Sequence, residues 1–326
     1  MTKLSVNLNK IALLRNSRNN DSPNMLEAAR VAINAGADGL TVHPRPDLRH
    51  TLPEDVRQLS ELVNSEYQNI ELNVEGNPFT NHSDNGYPGF MAMVLSIRPT
   101  QVTLVPDDNH QLTSDHGWEL TEKRELDRLR SVIERLRQVG CRVSLFMDAD
   151  IEKIGQLEHI GAQRIELYTG PFAKAHSLFG GDREETKNIF KEHVKAAVHA
   201  ESLGLEVNAG HDLDLSNLKL YKTLPGLKEV SIGHALVADA NSLAVLHLGD
   251  NKIDMPPKEM FARFVEEDVR FDVSRTTLAT GAVNPFRRWD FTTKAMAYYV
   301  SDTIGLMDDR LKVTPGIRYE DVETRY

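Results

Sequence analysis

The stretch AGADGLTVH, residues 35–43, joins the end of a helical pattern to a short strand pattern. Residues 25–35 are helix-like, and Gly36 is placed to end that helix in a left-handed conformation. Gly39 to Val42 then has the pattern of a strand. The same order of helix, glycine and strand recurs as VGCRVSLF at 139–146, IGAQRIEL at 160–167 and LGLEVNAG at 203–210. This recurrence predicts a parallel sheet whose strands are joined by helical crossovers.

Eight strand patterns alternate with helical segments from the amino terminus to about residue 232. Eight such units predict an α/β protein of the (β/α)8 TIM-barrel class, and an open doubly wound sheet is the structural alternative. We therefore predict a catalytic barrel over residues 1–249, with extra helices and a long loop at 76–89. Residues 250–326 form a predicted extension, with helices at 257–269 and 294–304. Its aromatic residues indicate that it packs on the barrel or on a neighbouring subunit.

Composition limits the possible functions. The 326 residues carry a formal net charge of -10, which argues against non-specific nucleic-acid binding. The single cysteine, Cys141, excludes an intrachain disulfide, and no stretch approaches the ~20 apolar residues of a membrane span. The sequence indicates a cytoplasmic protein that binds neither nucleic acid nor a membrane.

Polar residues are concentrated where the predicted strands end, which is the face that carries the active site in this fold. Alternation along the third strand puts Glu71, Asn73 and Glu75 on one face. Glu166 faces inward on the sixth strand. Three histidines follow the second, seventh and eighth strands: His43, His211 and His234. Their convergence predicts an acid–base active site.

A basic set follows the second strand and comprises Arg45, Arg49 and His50. Arginine offers a bidentate fork for phosphate or carboxylate, so this set favours an anionic substrate. Gly233, after the eighth strand, is placed where barrels often bind phosphate. Two anion sites predict either a bisphosphate or two monophosphates.

Taken together, these segments resemble the pyridoxine 5′-phosphate synthase family. The resemblance runs from about residue 3 to 246 and rests on these matching segments: Val6-Asn7, Ile11-Ala12, Leu14-Arg15-Asn16, Arg18, Asp38-Gly39, Thr41-Val42-His43, Arg45, Asp47, Arg49-His50, Asn69-Ile70-Glu71, Leu104-Val105-Pro106, Val143-Ser144-Leu145-Phe146, Asp148, Ile165-Glu166, Thr169-Gly170, Val207-Asn208-Ala209-Gly210-His211 and Ile232-Gly233-His234-Ala235.

The resemblance implies a ring-closing transferase that joins 1-deoxy-D-xylulose 5-phosphate to 3-amino-2-oxopropyl phosphate. The products are pyridoxine 5′-phosphate, phosphate and water, and the pathway is vitamin B6 biosynthesis. The resemblance also implies no metal, no organic cofactor and a homo-oligomer, an octamer in this family.

The resemblance further assigns roles to individual residues. His43 and Glu71 would be general bases, His211 a general acid in phosphate departure, and Glu166 a stabiliser of charged intermediates. The aminoketone phosphate would be held by Asn7, Arg18, Gly233 and His234. The sugar phosphate would be held by Arg45, His50 and Thr113.

Some positions depart from the family pattern. Asn9-Lys10 stands where better-known members have Asp-His, and Asp212 stands where they have glycine. We expect all three residues to lie at the substrate. A further departure is Ala238-Asp239, in place of the usual Gly-Arg.

Two other readings remain open from the sequence alone. One is a metal-dependent barrel lyase, isomerase or hydrolase that uses the same histidines and glutamates as ligands. The other is a non-catalytic phosphate-binding scaffold.

Overall fold

A computed structural model describes residues 2–18, 20–107, 111, 113–240, 297–300 and 315–318. These residues belong to two separate units, a barrel and a small two-stranded sheet. The barrel strands are β1 Lys3–Asn7, β2 Gly39–Val42, β3 Glu71–Gly76, β4 Gln101–Leu104, β5 Arg142–Met147, β6 Arg164–Tyr168, β7 Glu206–Gly210 and β8 Leu227–Ile232. Each strand pairs in parallel with the next, and β8 pairs with β1, so the sheet is closed. The (β/α)8 prediction is confirmed and the open sheet is excluded.

Helices lie between the strands. They are α1 Asn9–Arg18, α2 Met25–Asn34, α3 Pro53–Glu66, α4 Phe90–Ile97, α5 Lys123–Gln138, α6 Ile151–Gly155, α7 Gly170–Phe179, α8 Glu184–Ser202 and α9 Leu218–Tyr221, and residues 234–240 are also helical. Within the described residues, no helix is long and apolar enough to cross a membrane.

The recurring glycines take the conformation that the sequence predicts. Gly36, Gly140, Gly161 and Gly204 have φ angles of 106°, 91°, 94° and 78°. Residues with a Cβ rarely adopt these angles, so glycine is the favoured residue for the turn from each helix towards the next strand.

The two faces of the barrel strands differ in polarity. The outward side chains are apolar and buried under the helices, as Leu40 and Val42 are on β2. The lumen is polar: Ser5 and Thr41 share a hydrogen bond of 2.7 Å, and the Thr103 hydroxyl donates to Asn73 at 2.9 Å. This alternation leaves hydrogen-bonding and titratable groups inside the barrel.

Three helical segments of the barrel were not predicted: α1, α7 and residues 234–240. In α1 only Ala12 and Arg15 are buried, so the segment lacks an apolar stripe that would reveal a helix. Helix α7 begins with Gly170-Pro171, which reads as a turn in the sequence, although proline is well tolerated in a first helical turn.

The predicted helix over 294–304 is wrong. Residues Ala297–Val300 form strand β9, which pairs antiparallel with β10, Pro315–Arg318. Strand pairing overrides a local helical pattern here. The predicted helix at 257–269 and the domain boundary after residue 249 lie outside the described residues, so the proposed packing of the extension remains a prediction.

Candidate active site

Five titratable side chains lie at or near the carboxyl ends of the barrel strands. His43 follows β2, Glu75 is in β3, Asp107 follows β4, Glu166 is in β6 and His211 follows β7. We call these five residues the carboxyl-end cluster.

His43 lies between two carboxyl groups of this cluster. Its Nδ1 is 3.8 Å from Oε2 of Glu75, and its Nε2 is 3.5 Å from Oδ2 of Asp107. Burial, followed by the positive charge of Arg45, lowers the pKa of His43 to about 3. The imidazole is therefore neutral, which is the form that can accept a proton.

The carboxyl groups of the cluster are shifted in the opposite direction. Burial raises the pKa of Glu75 well above its ordinary value, and the charges of Glu166 and Asp107 raise it further. Burial and the neighbouring Glu229 raise the pKa of Glu166 to about 8. Burial also raises the pKa of Asp107, against the effect of its Ser114 hydrogen bond. Glu166, with a pKa of about 8, holds its proton near neutral pH, and a carboxyl group in this state can act as a general acid.

A basic loop between β2 and α3 borders the cluster. Arg45 Nη1 donates to Asp107 at 2.6 Å, and its Nη2 donates to the carbonyl oxygen of Gln111 at 2.9 Å. Arg49 Nη2 donates to the same carbonyl at 2.8 Å. The rings of His50 and His43 are 6.1 Å apart, and burial lowers the pKa of His50 to about 3. The structure thus places Arg45 and His50 beside His43, the candidate catalytic histidine.

The chain after β7 has an unusual backbone. His211 and Asp212 have φ angles of 85° and 54°, a region that residues with a Cβ rarely adopt. Thr169 holds this turn, because its hydroxyl donates to the carbonyl oxygens of Gly210 and His211. Local backbone strain of this kind is often found at functional sites.

Aromatic rings fix the direction of the His211 side chain. Its ring centroid lies 5.4 Å from that of Tyr168 and 6.1 Å from that of Phe146. Its Nδ1 is 3.7 Å from Oδ2 of Asp212, and the interaction with His211 lowers the pKa of Asp212. Asp212 is thus a partner of the imidazole.

The junction of β1 and β8 contains other residues predicted from the sequence. A Cβ on Gly233 would lie 2.6 Å from the carbonyl oxygen of Asn7, so only glycine allows this close approach. The side chain of Asn7 accepts from the Asn9 N–H at 3.0 Å. His234 is exposed at the start of the helical segment 234–240, and Lys10 is half-buried.

Asn9 explains one departure from the family pattern. Its Oδ1 accepts from the His43 N–H and from the Thr51 hydroxyl, both at 2.8 Å. An aspartate could accept the same two hydrogen bonds, so asparagine preserves this support of His43. Arg18 and Thr113 are exposed, and no contact of either residue with the carboxyl-end cluster is observed in the described part of the chain.

The structure does not place Glu71 with the predicted site. Glu71 begins β3, at the amino end of the lumen, where it pairs with Arg142 and accepts from Lys3 Nζ at 2.8 Å. Although burial opposes the effect, these two cations lower the pKa of Glu71 to about 2. Four residues of strand separate it from Glu75 by about 13 Å. The predicted convergence of Glu71 with His43 is therefore not observed, and Glu75 lies near His43 instead. The role of Glu71 as a general base remains a prediction.

Two members of the cluster were not among the predicted catalytic residues. The alternation places Glu75 on the inward face of β3 but does not show where the strand ends, and the observed strand continues to Gly76. Asp107 follows β4 in the segment VPDD. Two consecutive acidic residues after a strand are the sequence feature that could have identified it. Within the described residues, no group of three or more His, Cys, Asp or Glu side chains is arranged to hold a metal ion.

The closed barrel, its buried histidine and carboxyl groups and its basic loop together define a barrel enzyme suited to acid–base chemistry on an anionic substrate. The chain matches the model of the family described as "Pyridoxal phosphate biosynthesis protein PdxJ" over residues 4–246. It belongs to this family, as the sequence resemblance indicated, and it is an enzyme of vitamin B6 biosynthesis.

Several relatives share this assignment, and each is named pyridoxine 5′-phosphate synthase. The relative from Leptospira biflexa is 44% identical over 248 residues, which cover 74% of this chain and 91% of the relative. Those from Xylella fastidiosa and Xanthomonas campestris pv. campestris are 47% and 49% identical over 240 residues. These matches cover 73% of this chain and 88% and 90% of the respective relatives.

Proposed function

We propose that this chain is a ring-closing transferase that condenses 1-deoxy-D-xylulose 5-phosphate with 3-amino-2-oxopropyl phosphate. The products are pyridoxine 5′-phosphate, inorganic phosphate and water. Family membership supports the reaction, and one structural observation carries the assignment of its site: neutral His43 lies between two carboxyl groups of raised pKa at the carboxyl end of the barrel.

The acid–base steps use this arrangement. Joining an amine to a ketone releases water, so the departing oxygen must receive protons while carbon and nitrogen lose them. His43 is in the form that accepts a proton, and the raised pKa of Glu75 favours the protonated form, which can donate one. Glu75 is thus the proposed general acid beside His43, whereas the sequence resemblance implied Glu71 as a general base. Glu166, deeper in the lumen, can exchange a proton near neutral pH and so balance charge on intermediates.

The two phosphate groups need separate partners. The basic loop supports a sugar-phosphate site, because Arg45 and His50 lie beside His43. The junction of β1 and β8 supports the site for the aminoketone phosphate, where Asn7 and Gly233 are in close contact. Arg18, Thr113, Lys10 and His234 remain proposed substrate contacts.

His211 is the proposed acid for the departure of phosphate. The aromatic rings of Phe146 and Tyr168 orient its imidazole, and Asp212 lies at ion-pair distance. A protonated imidazole can transfer a proton to the bridging oxygen as the bond between this oxygen and carbon breaks and inorganic phosphate departs. Protonation of this oxygen makes phosphate a better leaving group.

The proposed function is tested by mixing the full-length protein with both phosphorylated substrates. We expect pyridoxine 5′-phosphate and inorganic phosphate to form in equal amounts, with no loss of rate when a chelator is added. Omission of either substrate should abolish both products. Absence of pyridoxine 5′-phosphate would contradict the proposal, and a chelator-sensitive reaction would favour the metal-dependent alternative.

Two further properties belong to the same proposal. The enzyme would act as a homo-oligomer in the cytoplasm, without metal or organic cofactor. Sedimentation of the full-length protein tests the oligomer directly.

A further inference from the structure

The basic loop of the proposed sugar-phosphate site is held by a helix that carries none of its phosphate-binding side chains. Asn16, in the last turn of α1, directs its amide nitrogen at three successive carbonyl oxygens of this loop. The distances from Nδ2 are 3.4 Å to Leu48, 3.2 Å to Arg49 and 2.7 Å to His50. A single side chain thus gathers the backbone of three adjacent loop residues.

The orientation of this amide is fixed from its other side. Oδ1 of Asn16 accepts from Nε and Nη2 of Arg15 at 3.0 and 2.9 Å. Reversing the amide would place its oxygen against three carbonyl oxygens and its nitrogen against a guanidinium group. The hydrogen-bonding pattern therefore permits one orientation.

The guanidinium group is itself anchored. Arg15 is 9% exposed and forms two hydrogen bonds with Asp55, of 2.5 and 2.8 Å. Asp55 also accepts from the Leu52 N–H at 2.7 Å, at the end of the loop where α3 begins. The chain from Asp55 through Arg15 to Asn16 connects the end of the loop with its middle.

The middle of the loop requires such support. Leu48 has a φ of 55°, in the left-handed region that residues with a Cβ seldom adopt. Its N–H donates to the Arg45 carbonyl at 3.0 Å, which closes the turn between Arg45 and His50. This turn lies between the two side chains that border His43: Arg45 shares Asp107 with it, and the ring of His50 is 6.1 Å from that of His43.

We propose that Asn16 is a positioning residue for the sugar phosphate: its amide fixes residues 48–50, so that Arg45 and His50 converge on the phosphate. Asn16 itself does not touch the substrate. This inference rests on the proposed function, because it assumes that the basic loop binds the sugar phosphate. It adds a residue whose effect is selective for one of the two substrates.

The test is the affinity of Asn16→Asp for each substrate separately, measured by calorimetry on the full-length protein. Aspartate keeps the size and the acceptor for Arg15 but replaces the donor by an acceptor. We expect the Kd for 1-deoxy-D-xylulose 5-phosphate to rise about 10-fold, because Arg45 and His50 would no longer be positioned to bind its phosphate group. The Kd for 3-amino-2-oxopropyl phosphate should stay within about 2-fold of the wild-type value. Asn16→Ala, which adds no charge, should show the same selectivity.

Asn64→Asp is the matched control. Asn64 lies on α3, is exposed and bonds only within its helix in the described structure, to Ser60 at 3.3 Å. This variant should bind both substrates as the wild type does. Arg45→Ala should weaken sugar-phosphate binding whether or not Asn16 has the proposed role.

The outcomes separate the inference from the proposed function. If Arg45→Ala weakens sugar-phosphate binding while both Asn16 variants bind it normally, Asn16 has no positioning role. Equal weakening for both substrates would also overturn the inference, because it would show general damage to the site. If the wild type binds neither phosphorylated substrate, the proposed function fails and the inference fails with it.

Discussion

At the amino end of the barrel lumen, Glu71 lies between two cations, whereas at the carboxyl end Glu75 faces His43 and other carboxyl groups. Both glutamates belong to β3 and face the same way. Pairing with Lys3 and Arg142 lowers the pKa of Glu71 to about 2, whereas burial near like charges raises the pKa of Glu75 well above its ordinary value. An inward-facing glutamate is therefore stabilising or chemically available according to its depth in the barrel.

The amino end is saturated with such pairs. Arg142 Nε donates to Gln101 at 2.8 Å, and Arg164 donates to Gln101 at 2.9 Å and to Glu206 at 2.6 Å. Glu229 completes this amino-end network at 3.4 Å from Arg164. The network is Lys3, Glu71, Gln101, Arg142, Arg164, Glu206 and Glu229. The balance of positive and negative charges in this network stabilises the fold, whereas the carboxyl-end cluster contains groups that can exchange protons.

The largest expected effect concerns His43. The His43→Asn substitution removes the proposed proton acceptor, so turnover should fall by at least about 10²-fold. His193→Asn is the matched variant, because His193 is also buried and neutral but bonds to Tyr221 at 2.8 Å, between α8 and α9. Steady-state rates per folded protein should fall only for the first variant. Equal losses for both would show that any buried histidine supports activity.

A smaller effect is expected for anion binding. Arg45→Ala should weaken binding of the sugar phosphate by about 1.5–3 kcal/mol, the range for hydrogen bonds to charged groups. Arg142→Ala removes the same charge from the amino end and should leave this affinity unchanged. Calorimetry measures the affinity of each variant for the phosphorylated and for the dephosphorylated sugar. The same loss for the dephosphorylated sugar would mean that Arg45 supports the loop and does not bind the phosphate.

The smallest effect tests the link between the two ends. Glu229 accepts from Asn208 Nδ2 at 3.1 Å, and strand pairing places Asn208 beside Glu166. The charge of Glu229 helps to raise the pKa of Glu166 to about 8. Glu229→Gln removes that charge, so the pKa of Glu166 should fall, and the corresponding limb of the pH profile of kcat should move to lower pH by about half to one unit.

Glu206→Gln is the control for this shift, since Glu206 also pairs with Arg164 but is largely exposed. Its pH profile should match that of the wild type. If the Glu229→Gln profile is equally unchanged, Glu166 does not titrate in the rate-limiting process or Glu229 does not influence it, and the proposed coupling is wrong.

The sequence predicted the barrel well because its signals are local. A glycine after each helix and alternation within each strand are properties of short segments, and Gly36 and Gly140 show both. It also located His43, Glu166 and His211 near one end, because the carboxyl ends of parallel strands meet there.

The remaining features depend on depth and on contacts distant in the chain. Alternation gives Glu71 and Glu75 the same face but does not say where the strand ends. Asn16 looked like part of a family motif, and its hydrogen bonds to residues 32 to 34 positions away were visible only in the structure. Asp107 needed the folded barrel to bring it to Arg45.

The most direct test of the account is the ratio of kcat for Glu71→Gln to kcat for Glu75→Gln, each corrected for the folded fraction. Both changes replace a carboxyl group on the same face of β3 by an amide and keep the side-chain size. We expect Glu71→Gln to melt at a lower temperature, because Lys3 and Arg142 lose their partner, but to turn over at a rate close to that of the wild type. Glu75→Gln should lose at least about 10²-fold in kcat. A ratio of about 10² or more is the predicted result, and a ratio near one, or below it, would contradict the assignment of the chemistry to the carboxyl end of the barrel.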